Sequence, residues 1–250
     1  MNLLQLLSPR FNLFLLTQLL IILAGSLIIS IWDDKPIAVA IGTSIAATGG
    51  AGLLTSLYYL MNERRSAALK MLDEFGLIAA FDRRGAIIAD EYRERLTKAR
   101  KHIDIIGYGL NTFLNDFRSE FSTWRQHAEV RILLLDPEFP DRSHSLARMR
   151  DGEEGRPPEA TLEEIRSFVD ETRALVGALS NGGCFAVRLY KCIPTLNVFR
   201  IDDDVFWGPY LIGTQSRNNP TFIARRGGLL YDRLVDHFET IWSDRFSSPA

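Results

Sequence analysis

Histidine and cysteine are scarce in this chain of 250 residues, which holds four of the first and two of the second. Cys184 and Cys192 have no further cysteine or histidine near them at metal-ligand spacing, so a structural zinc site is not expected and both read as core thiols. His102, His127, His144 and His237 are spread along the chain. Only His144, beside Asp141 and Arg142 in a polar segment, is placed for a group of reactive side chains to assemble. Asp202, Asp203 and Asp204 adjoin one another, but neighbouring strand residues alternate faces. At most two of them converge, which fits a hairpin turn better than a cation site. No metal or other cofactor is therefore expected. The formal net charge is −2, with no excess of basic residues to neutralise phosphates along a duplex, so a nucleic-acid partner is not expected either. Internal repeats and low-complexity segments are absent, which excludes a solenoid.

Charge is missing altogether from Phe11 to Trp32. A helix needs roughly 20 apolar residues to cross about 30 Å of hydrocarbon, and this run meets that length. Ile37 to Met61 is a second such run, and only Asp33, Asp34, Lys35 and Pro36 stand between the two. The expectation is a transmembrane hairpin in residues 1–61, with spans at 11–32 and 37–61 and the lipid bilayer as a partner. The run is too long for the apolar core of a signal peptide, and another span follows it at once. Arg64, Arg65 and Lys70 follow the second span, which places both termini and the soluble part on the cytoplasmic side. The second span sets Ala38, Gly42, Ala46 and Gly50 four apart on one helical face, with Gly49 and Gly52 beside them. Small residues at that spacing allow close helix approach, within the hairpin or between subunits. Thr43, Ser44, Thr48 and Thr55 are thin material for a pore.

Helical pattern continues through residues 62–84 as a juxtamembrane helix, and Gly85 opens a domain over 85–250. Ile88, Tyr92, Leu96 and Ala99 recur at helical spacing, and the basic cluster on that helix, Arg93 to Lys101, is interleaved with acids as on a solvated face. Ile103 to Gly109 and Val130 to Leu135 read as buried strands around a helix over Phe113 to His127, which implies a right-handed crossover and a parallel pair. Asp141 to Pro158 reads as a polar loop. Leu162 to Leu179 reads as one amphipathic helix. Strands then follow at Phe185–Tyr190, Asn197–Ile201, Val205–Trp207 and Thr221–Ala224, with a closing helix whose face is Leu230, Leu234, Phe238 and Ile241. The fold class expected is α/β, a mixed sheet flanked by helices, preceded by the all-α hairpin.

The segments GYGLNTF, RILLLDP, FRIDDDVFWGPYLIG and RRGGLLYDRLVDHFETIW, together with this order of elements, resemble one half of a phospholipase D-like domain over Gly85 to Phe246. They look most like an uncharacterised branch found in bacterial regulatory and membrane proteins, which implies a bacterial inner-membrane location. Active members carry His-x-Lys-(x)4-Asp followed by a Gly-Ser turn. Aligned on Asp202, this chain has Thr195 for the histidine, Asn197 for the lysine and Pro209 for the serine after Gly208. A threonine hydroxyl without a base is no substitute for an imidazole nucleophile, and an amide carries no charge to balance a phosphorane. The resemblance implies a homodimer with a shared cleft at Thr195, Asn197 and Asp202. Arg188, Tyr190, Asn197, Arg200 and Arg217 lie on or near the strands of that cleft and suit a small anionic, phosphate-bearing or nucleotide-like ligand. The function expected is a membrane-anchored, non-catalytic sensor of such a ligand or of a protein partner. A membrane-tethered phosphodiesterase or phospholipase-type hydrolase, and an oligomerising membrane effector, are the alternatives.

Overall fold

A computed structural model describes residues 9–83, 86–179 and 184–250. The chain divides into two compact units, Met1–Met71 and Leu72–Ala250.

The first unit holds α1 (Pro9–Ile31) and most of α2 (Pro36–Phe75), two helices long and apolar enough to cross a membrane. Proline opens α2, where its missing N–H costs nothing and its fixed φ suits the first helical turn. The two helices approach through their small residues. A Cβ on Gly25 would lie 2.6 Å from the Ala46 nitrogen, and one on Gly42 would lie 2.8 Å from the Gly25 carbonyl. Gly49 stands against Ile22, and Gly52 accommodates the Gln18 side chain. Gly42, Ala46, Gly49 and Gly52 thus serve the hairpin, whereas Gly50 meets nothing within 4 Å. The hydroxyls of Thr43, Ser44, Thr48 and Thr55 each donate to the carbonyl four residues earlier, so their polarity is satisfied inside their own helix.

The second unit is an α/β domain built on a mixed sheet of nine strands among the described residues, ordered β1-β8-β7-β6-β2-β3-β5-β4, with β9 also on β5. The strands are β1 (Leu77–Phe81), β2 (His102–Gly107), β3 (Glu129–Leu135), β4 (Gly177–Ala178), β5 (Cys184–Tyr190), β6 (Leu196–Ile201), β7 (Asp204–Pro209), β8 (Thr221–Arg225) and β9 (Ser247–Pro249). β2, β3 and β5 run parallel, as the strand-helix-strand order implies, and β6, β7, β8 and β1 extend the sheet antiparallel. Helices α3 (Ala86–Lys98), α4 (Asn111–Phe117), α5 (Phe121–His127), α6 (Leu146–Glu153), α7 (Ala160–Thr172) and α8 (Leu229–Trp242) complete it.

Four expectations change in detail. The helical run expected to reach residue 84 ends at Phe75; Gly76, at φ 70 where a side chain is strained, turns the chain into β1, whose apolar residues pair with β8. The helix expected over Phe113–His127 is two, α4 and α5, with residues 118–120 turning between them. The polar loop 141–158 contains α6, capped by the Ser145 hydroxyl and anchored by buried Ala147, Arg150 and Asp151. The helix after it stops at Thr172 and gives way to a short 3-10 turn and β4.

The two faces of the sheet are covered by different chemistry. Phe113, Phe117, Phe121 and Trp124 from α4 and α5 cluster with Phe168 of α7, Phe185 of β5 and Phe199 of β6. Under α8 lies a charged cluster instead. Asp104, fully buried on β2, accepts a bidentate bond from Arg131 at 2.7 and 2.9 Å and a third from Arg200 at 2.9 Å, its partners in register on β3 and β6. Glu239 of α8 binds the same Arg131, and these carboxylates keep its guanidinium charged although burial opposes the charge.

Candidate functional site

Thr195, Asn197 and Asp202, which the resemblance would gather in one cleft, are not brought together. They occupy opposite ends of β6. Thr195 precedes the strand, and its carbonyl accepts from the Tyr210 amide at 3.1 Å. Asn197 is buried, its Nδ2 donating to the Gly208 carbonyl at 2.9 Å while its Oδ1 has no partner among the described residues. Gly208 lies in register with Asn197, where a Cβ would sit 2.4 Å from the Pro220 carbonyl. Asp202 follows the far end of the strand at φ 49, a left-handed conformation that Asp and Asn tolerate best after glycine. Its carboxylate accepts the backbone N–H groups of Arg100, Lys101 and His102 at 2.8 to 2.9 Å. That is a structural tie between the β6–β7 turn and the entry to β2.

The candidate ligand contacts divide as well. Arg200 is buried between Asp104 and the Tyr231 hydroxyl, as part of the charged cluster. Arg188 donates to the Ser247 hydroxyl and carbonyl and to Asp244, lies 5.4 Å from the Trp242 ring centre, and pins β9 to β5. Tyr190 is fully buried, and burial pushes its hydroxyl well above the ordinary tyrosine range. Arg217 alone of the five lines a cleft.

That cleft, of about 370 Å³, opens where β2 and β7 end and β6 begins. It meets the usual size of a small-molecule site, about 300–1,000 Å³. One wall is aromatic: Tyr92 of α3, Phe113 and Phe117 of α4 and Phe199 of β6. Tyr108, just past β2, and Tyr210, just past β7, meet edge to face at 4.6 Å. The Arg150 guanidinium stands 5.6 and 5.5 Å from their ring centres. Burial pushes the Tyr108 hydroxyl up to about 12, so it stays a neutral donor at physiological pH.

Charged groups line the cleft beside these rings. Arg150 is buried and clamps the loop after β7, donating to the carbonyls of Leu211 and Thr214 and to the Ser216 hydroxyl, while Glu154 accepts from the Ser216 amide and hydroxyl. Arg156 pairs with Glu164 of α7. Burial raises the Glu164 carboxyl above its ordinary value, and Arg156 opposes that rise. Gly109 makes room for this carboxylate, since a Cβ there would fall 2.6 Å from Glu164 Oε2. Leu110, next in the chain, is held at φ 55, a strained conformation of the kind that gathers at ligand sites. Arg217 stands exposed at the rim on a short 3-10 turn, with no partner for its guanidinium among the described residues.

No histidine is among the residues that line the cleft. His144 lies in an exposed turn 3.3 Å from Asp141, and His237 is on α8, half-buried, with burial lowering its basicity. His102 faces Glu129 at the opposite end of β2. Cys184 and Cys192 are unpaired and half-buried, and burial raises both thiols. Among the described residues no three His, Cys, Asp or Glu side chains gather as a metal site would require. Thr195 and Asn197, singled out in the sequence, lie at the end of β6 near which the cleft opens but do not line it, and Tyr108, Arg150, Glu164 and Tyr210, which do, are not singled out there. These come from four separate stretches of chain, and only the fold assembles them.

No protein-family model and no curated protein matches this chain. Among solved structures it is similar to TrmBL2, an archaeal chromatin protein, at a TM-score of 0.40 and 12% identity over 82% of this chain and 69% of that one. It is also similar to a phosphatidylserine synthase of Haemophilus influenzae Rd KW20, at 0.43 and 11% identity over 65% of this chain and 37% of the synthase. The chain therefore spans little more than a third of the synthase's length, and at these scores neither neighbour contributes to the reading of the site.

Proposed function

We propose that this is a membrane-anchored receiver: its α/β domain binds a small phosphate-bearing ligand in the cleft between Tyr108 and Arg217 without hydrolysing it. One observation carries this reading. The cleft joins aromatic walls to a rim cation, Arg217, that no described residue neutralises, and it contains no imidazole or thiol to attack phosphorus. Its volume suits a ligand of mononucleotide size and is too small for a phospholipid with its acyl chains.

The α1–α2 hairpin supplies the anchor. Leu13, Leu16, Leu20 and Leu23 of α1 are all more than half exposed, an apolar surface that water would not tolerate and lipid would. The basic residues that follow the second span support a cytoplasmic side for both termini and the domain, and the phospholipase D-like resemblance implies a bacterial inner membrane and a homodimer. Ligand occupancy of the cleft is the signal that the anchor brings to the bilayer.

The test uses the full-length protein in lipid nanodiscs, titrated with nucleoside monophosphates, glycerol 3-phosphate and inorganic phosphate, with product analysis of each mixture. Saturable binding without turnover is expected. Arg217→Ala should weaken it about tenfold or more, the worth of a hydrogen bond to a charged group. Sustained turnover, or no binding of any phosphate-bearing probe, overturns the reading.

A further inference from the structure

Resting on that reading, we infer that the ligand is a guanine nucleotide, its base held among the aromatic side chains against Glu164 and its phosphate on Arg217. Among the groups that line the cleft, two have unused hydrogen-bonding capacity: the Glu164 carboxylate, an acceptor, and the Arg217 guanidinium, a donor.

The acceptor is Glu164. One oxygen, Oε1, is bound by Arg156, and the other, Oε2, lies against Gly109, the residue after Tyr108, with no hydrogen bond to any described residue. An ionised carboxylate only accepts. A flat ring lying in the cleft with its edge toward this group fits it best when that edge presents N–H groups. Guanine offers two neighbouring donors there, its ring N1–H and its exocyclic 2-amino group. Adenine offers one amino donor beside a ring nitrogen whose lone pair faces the carboxylate. Hypoxanthine keeps the ring N–H and lacks the amino group. A site built to hydrogen-bond a donor rejects the analogue without it, because its own polar group is then left unpaired.

The remaining features agree. A Cβ at position 109 would occupy the space of Oε2, so glycine there is what lets the carboxylate reach the ring plane. Tyr92, Phe113, Phe117 and Phe199, buried and packed on one another, give the cleft an apolar floor against which a purine can lie. Arg217 supplies a guanidinium fork that matches a terminal phosphate and is free to turn toward it.

The test titrates the full-length protein in nanodiscs with guanosine, inosine and adenosine monophosphates, with guanosine and inorganic phosphate as partial probes. Affinity should fall from the guanosine to the inosine to the adenosine monophosphate, by about tenfold or more across the series. E164Q replaces half the acceptor edge with a donor and should abolish that order, whereas R217A should weaken all three nucleotides alike and leave guanosine unchanged. The wild-type series does not depend on the variants folding, and a thermal unfolding scan of each variant separates lost recognition from lost structure. Equal affinities for the three nucleotides, or tightest binding of the adenosine one, overturn the guanine assignment while leaving a phosphate receiver standing. Failure of every phosphate-bearing probe to bind overturns both.

Discussion

The two ends of β6 begin from similar sequence, each rich in polar residues, and the fold treats them in opposite ways. At the Asp202 end all three carboxylates are engaged. The Asp202 carboxylate takes three amides, Asp203 pairs with Arg226, and Asp204 is shared by Arg95 of α3 and Arg225 of β8. At the Thr195 end, polar and aromatic groups stand around open space, with Arg217 unpartnered among the described residues. A run of three acids looks more like chemistry than a scatter of tyrosines, yet the acids are the scaffold. The difference teaches that satisfaction of a charged group, and not its presence, distinguishes a site from a joint.

The comparison breaks most visibly at Asp202. Asp202→Ala removes the acceptor of three backbone amides and leaves a Cβ-bearing residue at φ 49 without the local hydrogen bonding that makes the conformation tolerable. The expected loss is about 3 kcal/mol, measured by chemical unfolding of the full chain followed by tryptophan fluorescence. Asp202→Asn, which retains an acceptor and tolerates positive φ, should lose less than Asp202→Gly, and Asp202→Gly less than Asp202→Ala. If alanine instead abolished ligand binding at unchanged stability, Asp202 would belong to the site and the two ends would not be distinct.

What could be read from the sequence follows the same division. The two spans, the parallel β2–β3 pair and the antiparallel continuation each declare themselves in a contiguous pattern of apolar residues, so local reading finds them. β1 escaped because Leu77 to Phe81 adjoins a helical run without a polar interruption, and only pairing with β8 makes it a strand. Arg188 and Arg200 look like phosphate ligands in a linear sequence. Their carboxylate and hydroxyl partners, Asp104, Tyr231, Asp244 and Ser247, lie 31 or more residues away in the chain, so their service as joints is invisible there. The cleft is the extreme case. Gly109, Glu164 and Tyr210 acquire meaning only when the fold brings them together.

A smaller effect is expected at Asp204. Burial alone would raise its carboxyl, but hydrogen bonds from Arg225 and Arg95, each at 2.8 Å, outweigh burial and hold it below the ordinary value. A carboxyl lowered by folding stabilises the native state fully above its unfolded value, about 3.9, and that contribution fades as pH falls through the folded value. Asp204→Asn should therefore cost about 1 kcal/mol at pH 6, and the gap to the wild type should close as the pH is taken below about 4. A gap that stays constant across that range would mean that the pair holds α3 to β8 by shape alone.

The smallest effect on stability belongs to the other end of β6, and it sharpens the comparison most. Arg217 is exposed and its guanidinium has no partner among the described residues, so Arg217→Ala should change the unfolding free energy by less than about 0.5 kcal/mol. Stability and recognition are then separable in one molecule: the Asp202 turn carries the first, the Arg217 rim the second. Measuring both quantities on both variants gives a square of four values. Large stability loss should appear only for Asp202→Ala, and loss of affinity in the still-folded protein only for Arg217→Ala. A destabilised Arg217→Ala would instead make the rim loop part of the frame, because the Arg150 clamp on Leu211, Thr214 and Ser216 would then depend on the residue that follows it.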